Sequence, residues 1–486
     1  MKKIIQLICV LFVSSQAFAQ QWIDETYEYD SIMNLEYGTA ENFLGTPVAL
    51  HMDLYLPICE SATGDSKTPL AIFIHGGSFL AGDKGETTIT DLAKSFAKRG
   101  YATASINYRM GFVNDDALNQ CNFPNYSCFF AADSAEWYRA YYRAVQDGKG
   151  ALRFLVNHAT EYQIDPNNIF VAGESAGAFI AIGVGFMDVA SEKFTQAYEL
   201  NSVLTPNANT LSCPHNLNQT FPNATVLRPD LGSIDGTIEP TSIPFTIKAV
   251  GNFYGGMISD LLALNDVSKP KPALYQFHQP CDLIVPFETG RVYAGQNWCF
   301  TNGYGCSAIG NTAMVYGSKR ISDWNTNNAY GYTIQDNFTT IPFPYEYIGF
   351  QPKNCYDQVV NGNGCHAYDN YSNRKSQLIS FFAPIVSTTP ICTPGLIGSE
   401  ELSILMEQFT AYPNPFTEQL TIESPVAASY SLTDLFGRTI QQGDIVKGTN
   451  VLHFDAASSS NFSDGIYFLR IATENEQAVQ RVLRKN

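Results

Sequence analysis

The 486-residue chain has little positive charge and few histidines. Lys and Arg number 29 against 46 Asp and Glu, which gives a formal net charge of −17, and seven histidines are present. An acidic chain is repelled by nucleic acid and by anionic membranes, so neither is expected as a partner. Seven histidines also leave few candidates for a catalytic base.

Long apolar runs are missing beyond the first residues. Lys2 and Lys3 precede an apolar run over residues 4–13, and Ala17-Phe18-Ala19 has the small residues of a cleavage site. The run is too short to span a bilayer, so residues 1–19 are predicted to be a secretory signal peptide. Their loss would take the formal net charge from −17 to −19 and leave no transmembrane segment in the mature chain.

Metal-type cysteine spacing is absent as well. Of the 11 cysteines, Cys9 lies in the predicted signal peptide, and the other ten contain no C-x-x-C pair. Disulfides are therefore expected in the exported chain, and a zinc site is not. Two local pairs close short loops and are favoured: Cys121 with Cys128, and Cys299 with Cys306. The spacing leaves the pairing of the other cysteines open.

Strand-like and helix-like segments alternate over most of the chain. The run Leu70 to His75 is continuously apolar, which is typical of a strand buried on both faces, and a helical segment follows it. This order predicts an α/β fold with a mostly parallel central sheet. Further strands are expected at 48–57, 102–108, 169–172, 247–253, 273–277 and 345–350, and helices at 91–99, 134–158 and 372–382.

The composition divides the chain into regions. Residues 384–404 contain Ser, Thr, Pro and Gly and are predicted to be a linker. Residues 20–383 form the predicted α/β domain, with polar insertions at about 111–135 and 290–342. Residues 405–486 contain short β segments separated by turns, which predicts a small all-β sandwich.

A Gly-x-Ser-x-Gly turn lies between a predicted strand and a small-residue helix. Gly173-Glu174-Ser175-Ala176-Gly177 follows the apolar run Ile169 to Ala172. This arrangement is typical of a nucleophile elbow, where the serine protrudes at the end of a buried strand. Ser175 is therefore the candidate nucleophile.

A serine nucleophile needs a base and an acid, which in such a fold follow it along the chain. Three histidines qualify by position. His215 comes too early, and His278 lies at a strand end beside the best acid candidate, whereas His366 lies in a Gly-rich loop before the last helix. His366 is the predicted base and Asp282, just past a strand, the predicted acid; Asp260 and Asp266 are the alternatives.

Backbone N–H groups must hold the oxyanion. Ala176 follows the nucleophile, and Gly76-Gly77 directly follow a strand. Glycines let the backbone approach a substrate carbonyl. The predicted oxyanion hole therefore consists of Gly76, Gly77 and Ala176.

Residues 45–382 resemble an α/β-hydrolase of the carboxylesterase and hormone-sensitive-lipase-like type. The resemblance implies the same triad, the same three oxyanion donors and no cofactor. Ser78 departs from it, since many relatives have Gly there, and the two insertions have no counterpart in the common core. The motifs that carry the resemblance are Leu54 to Pro57, His75 to Phe79, Asn107 to Arg109, Gly173 to Gly177, Asp282 and His366.

The C-terminal region resembles the type IX secretion sorting domain. The motifs are Tyr412 to Phe416, Asp434 to Arg438, Gly465 to Ile471 and the basic end Arg484-Lys485. The resemblance implies that residues 405–486 engage the type IX machinery and that the protein is secreted or held on the outer cell surface. The alternative is a carbohydrate-binding β module.

Cysteines directly precede both the predicted acid and the predicted base. Cys281 precedes Asp282, and Cys365 precedes His366. In a working triad those two loops touch, so a Cys281–Cys365 bridge would keep their spacing constant; Cys355 with Cys365 is the rival pairing.

The predicted function is a secreted serine carboxylic-ester hydrolase that forms an acyl-enzyme. Its substrate would be a small-molecule ester or a polymer such as a polyester, a feruloyl ester or acetyl-xylan. The alternatives are a secreted serine peptidase of the same fold and a surface binding protein with an inactive hydrolase domain.

Overall fold

The computed structural model describes most of the chain, in two compact units, 1–392 and 393–486, within which the described residues lie. The described residues are 21–58, 67–113, 133–204, 225–263, 271–292, 312–339, 365–388, 409–413, 416–434, 439–454, 465–473 and 477–484. The predicted signal peptide, most of the linker, and His215, Asp266 and Cys355 lie outside these ranges, as do the predicted pairs Cys121–Cys128 and Cys299–Cys306.

An eight-stranded sheet forms the centre of the first unit. Its strand order is β1-β2-β4-β3-β5-β8-β10-β13. The first three strands pair antiparallel, and every later neighbour is parallel. The predicted α/β class with a mostly parallel sheet is therefore confirmed. The strands are β1 Tyr29–Glu41, β2 Pro47–Pro57, β3 Thr68–Ile74, β4 Ala102–Ile106, β5 Ile164–Glu174, β8 Ile247–Phe253, β10 Ala273–His278 and β13 Ile334–Phe338.

Helices cover both faces of this sheet. Alternate residues of β3 point to opposite sides, so Ile72 packs in one apolar cluster and Phe73 in the other. Helices α2 and α3 supply the first cluster, and α1 and α5 the second. Two interior layers explain why β3 is buried along its whole length and apolar from Leu70 to Ile74. The helices are α1 Thr87–Ala97, α2 Ser134–Asn157, α3 Ala176–Phe186, α4 Ser318–Asn327 and α5 Tyr371–Phe382.

Capping side chains set where two of these helices begin. The Asp133 carboxylate accepts the backbone N–H of Glu136 at the start of α2, and the Asn370 side chain accepts that of Asn373 at the start of α5. Such caps satisfy N–H groups that have no partner within the helix. No helix in the described part of the chain is long and apolar enough to cross a membrane.

Residues 290–342 were predicted to be an insertion into the α/β domain, and this prediction is wrong for 334–338. Residues 334–338 form β13, which pairs in parallel with β10 and completes the described sheet. Only the ends of this strand are apolar, because it lies at the sheet edge and is half-exposed. The strand expected at 345–350 and most of the 111–135 insertion lie outside the described residues. The smaller strands of this unit are β6 Leu200–Leu204, β7 Thr225–Arg228, β9 Gly256–Met257, β11 Thr289–Arg291 and β12 Met314–Gly317.

The second unit contains two antiparallel sheets. Their strand orders are β14-β15-β18 and β17-β16-β19-β20. Leu420 and Ile422 of the first sheet and Leu432 and Leu469 of the second belong to one buried apolar cluster. The expected small all-β sandwich is thus confirmed. Its strands are β14 Thr410–Tyr412, β15 Gln419–Ser424, β16 Ala428–Asp434, β17 Thr439–Ile445, β18 Gly448–His453, β19 Gly465–Ala472 and β20 Gln477–Arg484.

Candidate active site

Ser175 lies at the sharp turn between β5 and α3. Its backbone has φ 53° and ψ −121°, a region that residues with a side chain rarely adopt. The turn is closed by backbone hydrogen bonds: the Ser175 N–H donates to the carbonyl of Phe253 on β8, and the Ser175 carbonyl accepts from Ala178. This geometry places the serine hydroxyl at the carboxyl end of the sheet.

The glycines on either side of Ser175 leave room for this turn. A Cβ on Gly173 would lie 2.3 Å from the carbonyl oxygen of Gly177. A Cβ on Gly177 would lie 2.1 Å from the carbonyl oxygen of Ile74, at the end of β3. Both distances are far below van der Waals contact, so helix α3 can approach the sheet this closely only with glycine at both positions.

The three residues predicted as a triad lie together. The Ser175 hydroxyl Oγ is 2.7 Å from His366 Nε2, and His366 Nδ1 is 2.7 Å from Asp282 Oδ2. His366 lies between β13 and α5, and Asp282 follows β10. Asp260, the alternative acid, instead accepts the hydroxyl hydrogen of Tyr330.

Asp282 is fully buried yet well supplied with donors. The backbone N–H groups of Ile284 and Val285 donate to Oδ1, at 2.8 and 2.9 Å. Burial alone would raise the pKa of Asp282, but the charge of His366 and the hydrogen bonds from His278 and His366 hold its pKa below the usual value. The carboxylate is therefore ionised at neutral pH.

A disulfide joins the loops of the predicted acid and base. Cys281 and Cys365 are bonded, with 5.6 Å between their Cα atoms. The buried Gln279 side chain adds a second link, because its amide donates to the carbonyls of Cys365 and Ala367 at 3.1 and 2.9 Å. Two separate connections thus hold His366 beside Asp282.

The Gly76-Gly77 loop lies directly against Ser175. A Cβ on Gly76 would be 3.2 Å from the Ser175 Cβ, and Gly77 has φ +102°. The buried Tyr108 hydroxyl donates to the Gly76 carbonyl at 2.9 Å and so helps to hold the loop in place. Ala176 is the first residue of α3, where N–H groups point outward along the helix axis.

His75 has no part in proton transfer in this geometry. Its ring is buried, stacks on Tyr108 at 4.5 Å and places Nδ1 2.8 Å from the Gly76 carbonyl. Burial lowers the pKa of His75 to about 4, so the ring is neutral at physiological pH. The ring contacts the Gly76 carbonyl and so supports the glycine loop.

Sequence patterns did not indicate a second polar cluster beside His366. Glu174 accepts hydrogen bonds from Tyr254 and Thr88, and the Tyr254 ring meets the His366 ring edge-on at 4.9 Å. Burial raises the pKa of Glu174, and the two hydrogen bonds offset part of that rise. Glu174 lies within the Gly-x-Ser-x-Gly motif, and that position was the only available signal.

Within the described residues, no His, Cys, Asp and Glu side chains form a group of three or more that could hold a metal ion. The groups that the described site brings together are a hydroxyl, an imidazole, a carboxylate and a loop with backbone N–H groups.

Two family models match parts of the chain. Residues 52–122 and 134–279 match the family model described as BD-FAE, and residues 410–485 match the secretion system C-terminal sorting domain. A domain of the latter kind indicates secretion through the type IX system, to the outer cell surface or the extracellular space.

Individual relatives are distant and the alignments are partial. The chain is 32% identical over 130 residues to a probable isoprenylcysteine alpha-carbonyl methylesterase of Arabidopsis thaliana, covering 27% of this chain and 21% of the relative. It is 23% identical over 181 residues to carboxylesterase 3B of Mus musculus, covering 37% and 28%. The chain thus spans less than a third of the length of either relative.

Among solved structures, a truncated carbohydrate esterase from gut microbiota is similar with a TM-score of 0.38 and 16% identity, covering 74% of this chain and 98% of that one. The fold assignment rests instead on the strand order, the elbow and the family match. Residues 52–122 and 134–279 belong to a BD-FAE domain of the esterase-like α/β-hydrolase type, and residues 410–485 belong to a type IX secretion sorting domain.

Proposed function

We propose that the chain is a secreted carboxylic-ester hydrolase that works through Ser175, His366 and Asp282. The observation that carries the proposal is the hydrogen-bond chain from Ser175 Oγ through His366 to Asp282, with both distances at 2.7 Å. A hydroxyl, an imidazole and a buried carboxylate in this order form a general-base relay.

Ester hydrolysis would follow in two halves. His366 Nε2 takes the Ser175 proton as Oγ attacks the ester carbonyl, and His366 then gives that proton to the departing alcohol. Water next attacks the acyl-enzyme, with His366 again as base, and Ser175 is regenerated. Asp282 keeps the Nδ1–H of His366 directed at itself and stabilises the imidazolium in both halves.

The developing oxyanion would be held by the N–H groups of Gly76, Gly77 and Ala176. Gly76 packs against the serine, and Ala176 begins α3. Loss of one such donor costs about 2.7–4 kcal/mol of barrier in comparable sites. The support from Tyr108 keeps the loop in place before substrate binds, so no reorganisation is needed during the reaction.

The test is ester turnover by the wild type and by Ser175→Ala. With p-nitrophenyl acetate and butyrate, we expect Ser175→Ala to lower kcat by roughly 10³-fold or more, because the nucleophile is removed. Ser372→Ala, an exposed position on α5, is the matched control and should keep wild-type turnover. Turnover of feruloyl esters, acetyl-xylan and polyesters is then compared with turnover of the small p-nitrophenyl esters.

An organophosphorus probe separates an inactive site from an unsuitable substrate, because it labels an activated serine whatever the acyl preference. Labelling at Ser175 without ester turnover would favour the peptidase alternative. Neither labelling nor turnover in folded protein would favour the binding protein and contradict the proposal.

A further inference from the structure

A second histidine contacts the same carboxylate oxygen as His366. His278, the last residue of β10, places Nε2 3.1 Å from Asp282 Oδ2, while His366 Nδ1 lies 2.7 Å from that atom. The side chains of His278 and Asp282 are both completely buried. Only His366 also reaches Ser175 Oγ, so the two histidines cannot have the same role.

The surroundings of His278 determine where its proton lies. Nε2 is also 3.2 Å from the carbonyl oxygen of Val285. An ionised carboxylate and a carbonyl can only accept hydrogen bonds, so the nitrogen that faces both must carry a hydrogen. His278 is therefore a donor towards Asp282.

Nδ1 of His278 lies 3.0 Å from the Ser318 hydroxyl at the start of α4. That hydroxyl already accepts from the Asn252 amide at 3.0 Å. The orientation of the Asn252 amide follows from its oxygen, which accepts the backbone N–H of Gly255 at 2.8 Å. Ser318 can therefore direct its own hydrogen at Nδ1, so both ring nitrogens of His278 have hydrogen-bond partners.

The network continues to the sheet edge. The second amide hydrogen of Asn252 points to Gln276 Oε1 at 3.1 Å, and the Gln276 amide donates to Ser322 and to Asp336 at 3.0 Å. The members lie on β8, β10, α4 and β13. Asn252, Gln276 and Ser318 are buried and Asp336 is exposed, so the network holds its interior members in one orientation.

We propose that His278 is a positioning residue for Asp282, an inference that rests on the proposed function. Its Nε2–H shares Oδ2 with His366, while Ile284 and Val285 hold Oδ1. Donors on both oxygens oppose rotation of the carboxylate and favour its charged form over transfer of the His366 proton to it. Asp282 then accepts from His366 along one direction only, which keeps Nε2 of His366 aimed at Ser175.

The test compares His278→Leu with His278→Gln. Leu removes the donor, whereas the amide of Gln extends about as far as Nε2 and can still donate to Asp282. We expect His278→Leu to lower kcat about 10- to 100-fold with KM within about twofold, as for a lost hydrogen bond to a charged group. His278→Gln should retain most of the wild-type kcat.

Asp282→Asn supplies the second half of the test. If His278 acts through Asp282, adding His278→Leu to Asp282→Asn should not lower kcat further. If His278→Leu instead disturbs the structure in general, its effect on kcat should multiply that of Asp282→Asn. Circular dichroism and the unfolding midpoint check that each variant is folded. Where His278→Leu does not fold, His278→Asn replaces it, since the shorter amide stays polar but cannot reach Asp282.

Three outcomes would overturn the inference. The first is an equal loss of kcat in the Leu and Gln variants, and the second is an unchanged kcat in folded His278→Leu. The third is a further loss of kcat when His278→Leu is added to Asp282→Asn. All three outcomes are read against Ser175-dependent turnover of the wild type, so they leave the proposed function standing. If the wild type turns over no ester, the rate at which the organophosphorus probe labels Ser175 replaces kcat, and the same comparisons apply.

Discussion

At the scale of single residues, chain order was enough to choose three side chains that lie within hydrogen-bonding distance. Ser175 was chosen by its Gly-x-Ser-x-Gly setting, and Asp282 and His366 by their position after it. The supporting residues could not be chosen in this way. Tyr108 acts through Gly76, 32 positions away, which no local pattern encodes. His278 was placed beside the acid by the sequence, but nothing in the sequence showed that its ring donates to Asp282.

Replacement of Gly177 by Ala should destabilise the fold. The added Cβ would lie 2.1 Å from the Ile74 carbonyl oxygen, so backbone rather than a flexible side chain would have to move. We expect a loss of about 2–4 kcal/mol in the free energy of unfolding, measured with urea, and a loss of Ser175-dependent turnover. Gly290→Ala, whose Cβ would meet only the Pro286 side chain at 3.2 Å, should change stability by less than about 1 kcal/mol. Similar losses in both variants would contradict the steric argument.

Glu174 should make stability depend on pH in a defined direction. Burial raises its pKa in the folded state, so ionisation costs more in the folded than in the unfolded chain. Its contribution to stability is therefore lost as the pH rises from the unfolded to the folded pKa. We expect Glu174→Gln to gain stability relative to wild type as the pH rises above about 4.3, the ordinary pKa of a glutamate, as followed by urea unfolding. Glu161→Gln, at an exposed position, should show no such trend, and a flat difference for both would count against the buried-charge explanation.

At the scale of elements, the sequence predicted the interior strands better than the edges. Strands β3, β8 and β10 are buried along most of their length because helices cover both faces of the sheet, and apolar residues predominate in them. The edge strands β1 and β13 are largely exposed on one side and contain polar residues, so they resemble loops. Edge strands are specified by pairing with a distant neighbour, which a single sequence does not reveal.

The Cys281–Cys365 link should matter for both stability and catalysis. It closes a separation of 84 residues and joins the acid loop to the base loop. We expect the double replacement by Ala to lower the free energy of unfolding by about 2–4 kcal/mol and kcat by roughly tenfold, with the sheet intact. Gln279→Ala, which removes only the second link, should lower kcat less. Thermal unfolding and Ser175-dependent turnover measure both effects, and wild-type values in the double variant would show that the link is dispensable.

At the scale of the whole molecule, the described residues form two units with separate apolar cores. The residues of the candidate active site, Ser175, Asp282 and His366, all lie in the first unit. The match to a sorting domain lies in the second. Catalysis and delivery are therefore expected to depend on different units, and this division can be tested by truncation.

A protein that ends at Cys392 should retain the proposed ester hydrolase activity but should no longer be exported. Because the first unit has its own core and the complete hydrogen-bond chain, we expect kcat/KM within about twofold of the full chain and an unchanged first thermal transition. In cells that carry the type IX machinery, the truncated protein should be retained inside, while the full chain reaches the surface or the medium. Ser175→Ala in the full chain is the matched control: it should be exported normally and remain inactive. If the truncated protein folds normally but is inactive, the second unit contributes to catalysis. If the truncated protein is exported, delivery does not depend on residues 393–486.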